Sequence, residues 1–203
     1  MDTSLYRSIN AFAVHTAWAH SFMKFAAVYG VGIFALLVLT GWWYARFSTD
    51  AIHSVAAIGW AAIATVLAVG VNQPIVNAVA RPRPFLKVPG AEVLVARSSD
   101  YSFPSDHAVA AGAATMGLWI AAAYGPRALR WLAGISTVLA LFIAFARVYV
   151  GVHYPGDVAA GLVVGAAVTT IGWLLLRRVG VAIARAVSQR DALRPLVVAS
   201  IKS

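Results

Sequence analysis

Five apolar runs, each close to twenty residues and nearly free of charge, constrain this chain more than any other feature. They cover residues 25–44, 51–71, 104–124, 131–150 and 157–176. A helix of about 20 residues spans the roughly 30 Å hydrocarbon layer of a bilayer. Within hydrocarbon every backbone N–H and C=O must find a partner in the segment itself, so such runs predict helices. Hydrophobic residues make up 61% of the 203 positions and charged residues 11%, too little charge to cover a soluble domain of this length. The expectation is an all-α, polytopic membrane helical bundle of five to six transmembrane or interfacial helices, forming one domain over residues 1–203.

The flanks add detail. Residues 4–22 set Leu5, Ile9, Phe12, Ala13 and Trp18 against Arg7, Asn10, His15 and His20 at helical spacing, which predicts an amphipathic helix in the interface over residues 1–23. The stretch lacks a basic leader and carries two histidines, so no cleavable signal peptide is expected. Ser48-Thr49-Asp50 predicts a helix N-cap. Residues 72–103 are polar and proline-rich and read as a long loop. Gly161, Gly165, Ala166 and Gly172 predict close helix approach. Residues 177–203 read as a basic, amphipathic cytoplasmic tail lying on the membrane surface.

The net charge of +9 does not point to nucleic acid, because the basic residues flank apolar segments instead of forming one stripe. The chain has no cysteine, which excludes disulfides, thiolate metal sites and a cysteine nucleophile.

Three polar clusters punctuate the apolar runs: Arg81-Pro82-Arg83-Pro84, Pro104-Ser105-Asp106-His107, and Arg147 with His153 and Asp157. Alternating five spans puts all three on one side of the membrane. The other side carries Arg46, Arg127, Arg130, Arg177, Arg178, Arg185, Arg190, Arg194 and Lys202. That is nine basic residues against the seven of the cluster side, which are Arg7, Lys24, Lys87, Arg97 and the three motif arginines. The positive-inside rule then turns the clusters outward.

His153 and Asp157 lie four apart, the spacing that places two side chains on one helical face. A carboxylate reaching an imidazole N–H fixes the tautomer and frees the other nitrogen to attack. Arg147 offers a fork of donors to phosphate oxygens. Ser105 opens a span, where a helix N-terminus favours anions, and His107 is placed to protonate a leaving oxygen. Arg81 and Arg83 add positive charge for a phosphoryl group. Blander roles exist for each: Asp157 as a helix cap, Arg81 and Arg83 as loop charges near headgroups, and His15, His20 and His53 as interfacial polar residues. Trp42, Trp43, Trp119, Trp131 and Trp173 read as an interfacial belt. The three clusters together, in order and on one side, favour a phosphatase at a membrane surface.

These clusters resemble the motifs of the type 2 phosphatidic acid phosphatase (PAP2) superfamily, whose pattern is Lys-x6-Arg-Pro, Pro-Ser-Gly-His and Ser-Arg-x5-His-x3-Asp. Arg83-Pro84, Pro104-Ser105-Asp106-His107, and Arg147, His153 and Asp157 match it over about residues 72–165. The resemblance implies a phosphohistidine mechanism without metal or other cofactor. His153 would be the nucleophile, Asp157 its orienting partner and His107 the acid and later base, with Arg83, Ser105 and Arg147 on the phosphate. Three positions depart from the pattern. Val76 stands where the lysine belongs, leaving a phosphate ligand absent or supplied by Arg81 or Lys87. Ala146 replaces the serine, and Asp106 replaces the glycine, either tuning the His107 proton or packing beside the helix start. The Pro-Ser-Asp-His form is similar to the bacterial undecaprenyl pyrophosphate phosphatases linked to bacitracin resistance. That similarity implies a polyprenyl diphosphate substrate and a site on the outer face of the bacterial cytoplasmic membrane. Two other readings are a broader phosphatase acting on phosphatidic acid or phosphatidylglycerol phosphate, and a non-catalytic lipid-binding or transport protein.

Overall fold

The computed structural model describes residues 1–199 and contains helices and no strands among them. Lys202 and the end of the tail lie outside the described residues. In chain order the α-helices are α1 (Asp2–His15), α2 (His20–Tyr29), α3 (Ile33–Ala45), α4 (Ala51–Val79), the single turn α5 (Pro84–Lys87), α6 (Asp106–Ala122), α7 (Arg127–Tyr149) and α8 (Pro155–Ser188). Four stretches are long and apolar enough to cross a membrane: 17–45, 51–87, 127–149 and 155–188. The fifth apolar run forms α6, a 17-residue helix buried along most of its length between α4, α7 and α8. An all-helical membrane bundle is what the hydropathy pattern predicts, and it is what the chain forms.

Small residues set how closely these helices approach. Gly112 of α6 lies against the Leu162 backbone, Gly117 against Ala61, and Gly165 of α8 against the Val109 carbonyl and, at 2.7 Å from a hypothetical Cβ, Ala113 N. Between membrane helices there is no hydrophobic driving force, so close backbone contact and interhelical hydrogen bonds hold the bundle. Thr115 pairs with Ser136 at 2.7 Å, and Trp60 Nε1 donates to the Thr169 carbonyl at 2.8 Å. Trp173 is buried in this packing, so it does not belong to the interfacial belt.

Three boundaries differ from the expectations. The interfacial helix ends at His15 and not near residue 23, and the first crossing segment begins at residue 17, broken by a short 3₁₀ turn at Gly30–Gly32. α4 runs through Pro74 to Val79, so the loop expected from residue 72 starts at Ala80, which adopts φ +48°. The loop-like amides of Asn72 and Gln73 are held by Asp106, at 2.7 and 3.0 Å. Those bonds let polar residues stay helical. α8 continues for 34 residues, with Val181 and Ala184 buried, so Arg177 marks no break. The chain beyond α8 folds back onto the end of α3. There Arg46 Nη1 donates to the Pro195 carbonyl and Trp42 Nε1 to the Leu196 carbonyl, both at 2.9 Å.

At the opposite end, the C-termini of α4 and α7 meet the N-termini of α6 and α8. The segment 88–105 packs across them and α1 covers it: Asn10 exchanges two hydrogen bonds with the Glu92 backbone, at 2.8 and 2.9 Å. Gly151 turns the chain between α7 and α8 at φ +85°, with the Glu92 carbonyl where a Cβ would stand. Only glycine suits that turn.

Candidate active site

At this junction Arg83, Asp106, His107, Arg147 and His153 line one cavity of about 190 Å³, with Val76, Ser98, Asp100, Tyr101 and Pro104 completing its wall. Residues drawn from all three polar clusters therefore face a common space sized for a small anion.

His153 is 3% exposed and its ring is fixed at both nitrogens. Nε2 lies 3.3 Å from Arg83 Nη1 and 3.3 Å from Arg147 Nη2. Guanidinium groups only donate, so Nε2 must accept and the proton resides on Nδ1. Nδ1 then donates to the Ser102 carbonyl at 2.8 Å. The spacing argument assigned that role to Asp157, whose carboxylate is 3.7 Å from Nδ1 and outside hydrogen-bonding range. Asp157 is fully buried, accepting from Ser102 Oγ, from the Tyr154 N–H at 2.8 Å and from Arg81 Nη1 at 2.6 Å. It braces the Ser102 peptide that holds the imidazole. Burial pushes His153 below the ordinary imidazole range. Asp157 opposes that shift, while Arg147 and Arg83 add to it. The ring is thereby kept neutral, with its lone pair directed between two cations.

Arg83 is 4% exposed and its fork is occupied. Nη1 donates to the Val152 carbonyl at 2.9 Å, while Nη2 donates to Asp100 Oδ1 at 2.8 Å. Burial raises the Asp100 carboxyl, but Ser98 and Arg83 outweigh it and hold that carboxyl below its usual range. Asp100 thus sits on Arg83 as an anion would. Arg147 Nη1 donates to the Ala27 carbonyl at 3.0 Å, and its buried Nε has no partner among the described residues.

Arg81, Lys87 and Ser105 lie off the cavity wall, and Asp106 lines it in another role. Arg81 is absent from the cavity wall: its guanidinium bridges Asp157 and Asp2 at 2.6 Å each and lies 4.0 Å over the Tyr154 ring. Lys87 is exposed on α5 and does not line the cavity either. Neither therefore replaces the lysine missing at Val76. Asp106 lines the wall, but as an anion its carboxylate takes amide donors from Asn72 and Gln73, which ties α4 to α6. Ser105 is fully buried at the start of α6 and does not line the cavity, and its hydroxyl has no partner among the described residues. His20 and His53 stay outside, bonded to the Ala13 carbonyl and to Asp50.

Ser102, Asp100 and Asp2 escaped the reading of the sequence. One signal was present: the chain has only seven acidic residues, and four of them, Asp2, Asp100, Asp106 and Asp157, gather here. Scarce carboxylates in a membrane chain mark places where cations or amides need partners.

The chain matches the PAP2 superfamily over residues 54–180, and it belongs to that family. It is a membrane phosphatase. It is 28% identical over 177 residues to the undecaprenyl-diphosphatase BcrC of Bacillus subtilis (strain 168), covering 87% of this chain and 83% of that protein. Its fold is similar to that of a transmembrane PAP2 type phosphatidylglycerolphosphate phosphatase from Bacillus subtilis, with a TM-score of 0.63, 19% identity and coverage of 87% and 86%. It is also similar to LpxE of Aquifex aeolicus, with a TM-score of 0.59, 23% identity and coverage of 85% and 94%.

Proposed function

We propose that this protein is an undecaprenyl (polyprenyl) diphosphate phosphatase that releases inorganic phosphate through a phosphohistidine at His153. The observation that carries the reading is the setting of Nε2, a lone pair 3.3 Å from each of two guanidinium groups, with the Nδ1 proton engaged behind it. A terminal phosphoryl group entering the cavity displaces Asp100 from Arg83 and takes donors from Arg83 and Arg147, whose charge meets the oxygens as electron density shifts onto them. Nε2 attacks phosphorus in line. The P–N bond forms as the P–O bond to the lipid monophosphate breaks, and His107 protonates the departing oxygen. Water then gives its proton to His107 and attacks phosphorus. Cleavage of P–N frees inorganic phosphate and returns His153 to its neutral form.

The choice of a polyprenyl substrate rests on the BcrC similarity, on the Pro-Ser-Asp-His form of the second cluster, and on an apolar groove of about 670 Å³. That groove lies between α3 and α4 and is lined by Phe34, Val38, Trp42 and Val66, with Ala110 and Ala114 on its floor, one and two turns beyond His107. A long hydrocarbon chain would lie there while its head occupies the cavity. Two guanidinium groups supply the charge that a metal would otherwise bring, so the reaction needs none. The excess of basic residues at the far ends of the helices supports a site facing the extracytoplasmic side of a bacterial cytoplasmic membrane.

The test is phosphate release in detergent from C55-diphosphate, phosphatidic acid and phosphatidylglycerol phosphate, each with and without EDTA. C55-diphosphate should turn over at least about tenfold faster than the other two, a preference of about 1.4 kcal/mol in the transition state. EDTA should change none of the rates. Equal rates would favour the broader phosphatase, and release from none of them the lipid-binding protein.

A further inference from the structure

The polar chain behind His153 extends further than the reaction just described requires. Asp157 is fully buried, and one of its oxygens takes Arg81 Nη1 at 2.6 Å. Arg81 Nη2 passes to Asp2 Oδ2, also at 2.6 Å. Asp2 in turn accepts the Gly156 N–H at 2.8 Å through its other oxygen, and Gly156 lies in the first turn of α8, one residue before Asp157. Asp2 opens α1, and the next turns of that helix are docked beside the same loop. The Tyr6 hydroxyl donates to the Gly151 carbonyl at 3.2 Å, and Asn10 pairs with Glu92. Two residues from the start of the chain therefore reach the segment that presents His153.

We propose that Asp2 is a positioning residue for His153, acting through Arg81 and Asp157. This inference rests on the reading of His153 as the nucleophile. Arg81 lies against the face of Tyr154 and bridges two carboxylates, so its direction depends on both of them. With Asp2 in place the group Asp2–Arg81–Asp157 carries one net negative charge behind the imidazole, opposite Arg83 and Arg147 in front. Attack by Nε2 makes the ring cationic, and that charge behind it is then stabilising. Without the Asp2 carboxylate the pair Arg81–Asp157 is neutral. The guanidinium is then free to swing, the Asp157 carboxylate shifts with it, and the Ser102 peptide that holds Nδ1 loses its brace. The phosphate-binding wall is untouched, because neither Asp2 nor Arg81 lines the cavity.

The experiment compares Asp2→Asn and Asp2→Glu with the parent protein in detergent, measuring kcat, KM and thermal stability, with His153→Ala as reference. Asp2→Asn should lower kcat about ten- to a hundredfold, the range typical of groups that orient a functional histidine from behind. KM should stay within about twofold, since binding does not use Asp2. Asp2→Glu should recover most of the loss. An unchanged kcat in Asp2→Asn overturns the inference. A loss that tracks a fall in stability and is not recovered by Asp2→Glu also overturns it, because a strut for α1 alone would behave that way. Retained turnover in His153→Ala would strike the underlying reading instead, whatever the Asp2 variants do.

Discussion

His153→Ala is expected to abolish phosphate release, lowering kcat at least about 10⁴-fold, the scale on which loss of a nucleophile acts in enzymes with covalent intermediates. The variant should stay folded and monodisperse in detergent, because the histidine sits in a turn between α7 and α8 and not in the helix contacts. KM changes little. Arg83 and Arg147 still face the cavity, and with Nε2 gone each has a donor free for phosphate. The loss should therefore fall on kcat, the signature expected of a group that acts in the reaction step and not in binding. Phosphate release under initial-rate conditions, together with size-exclusion profiles, checks both halves.

The second large effect is expected far from the chemistry. Gly165→Leu should prevent accumulation of folded protein, and Gly165→Ala should lower thermal stability by about 1–3 kcal/mol, the usual cost of overpacking. In a domain of this size that is about 2–4 °C in Tm for each kcal/mol. A Cβ at residue 165 would meet the Val109 carbonyl and Ala113 N of α6, backbone atoms that cannot rotate aside. α6 delivers His107 and α8 begins beside His153, so separating the two helices also widens the cavity. Gly165→Ala should therefore lose activity beyond what its stability loss alone would cause. Gly59, which has nothing within 4 Å of its hypothetical Cβ, is the control: Gly59→Ala should be tolerated.

Much of this architecture was legible because membrane helices leave a strong record. Length and hydropathy place the spans, and the three polar clusters interrupt oil where only function or topology would put charge. The limits are equally physical. Arg81 and Arg83 sit two residues apart in the same proline-flanked setting, yet one turns to Asp157 and Asp2 while the other faces the cavity. Local pattern carries no information about partners 76 and 79 residues away. Ser102 was hidden for a related reason, since its role uses a backbone carbonyl that every residue possesses. Asn72, Gln73 and Pro74 look like the start of a loop because the acceptor that both amides share, Asp106, lies more than thirty positions later. His153 and Asp157 have the right spacing for direct contact, but two closer donors and the Arg81 guanidinium claim the carboxylate first.

The measurement that bears most directly on the account is rapid-quench mass analysis of the enzyme during a single turnover of C55-diphosphate. One phosphoryl group should appear on His153, survive alkali, disappear in acid, and be missing from His153→Ala. Lipid monophosphate and inorganic phosphate forming at every quench time with His153 never phosphorylated would contradict it.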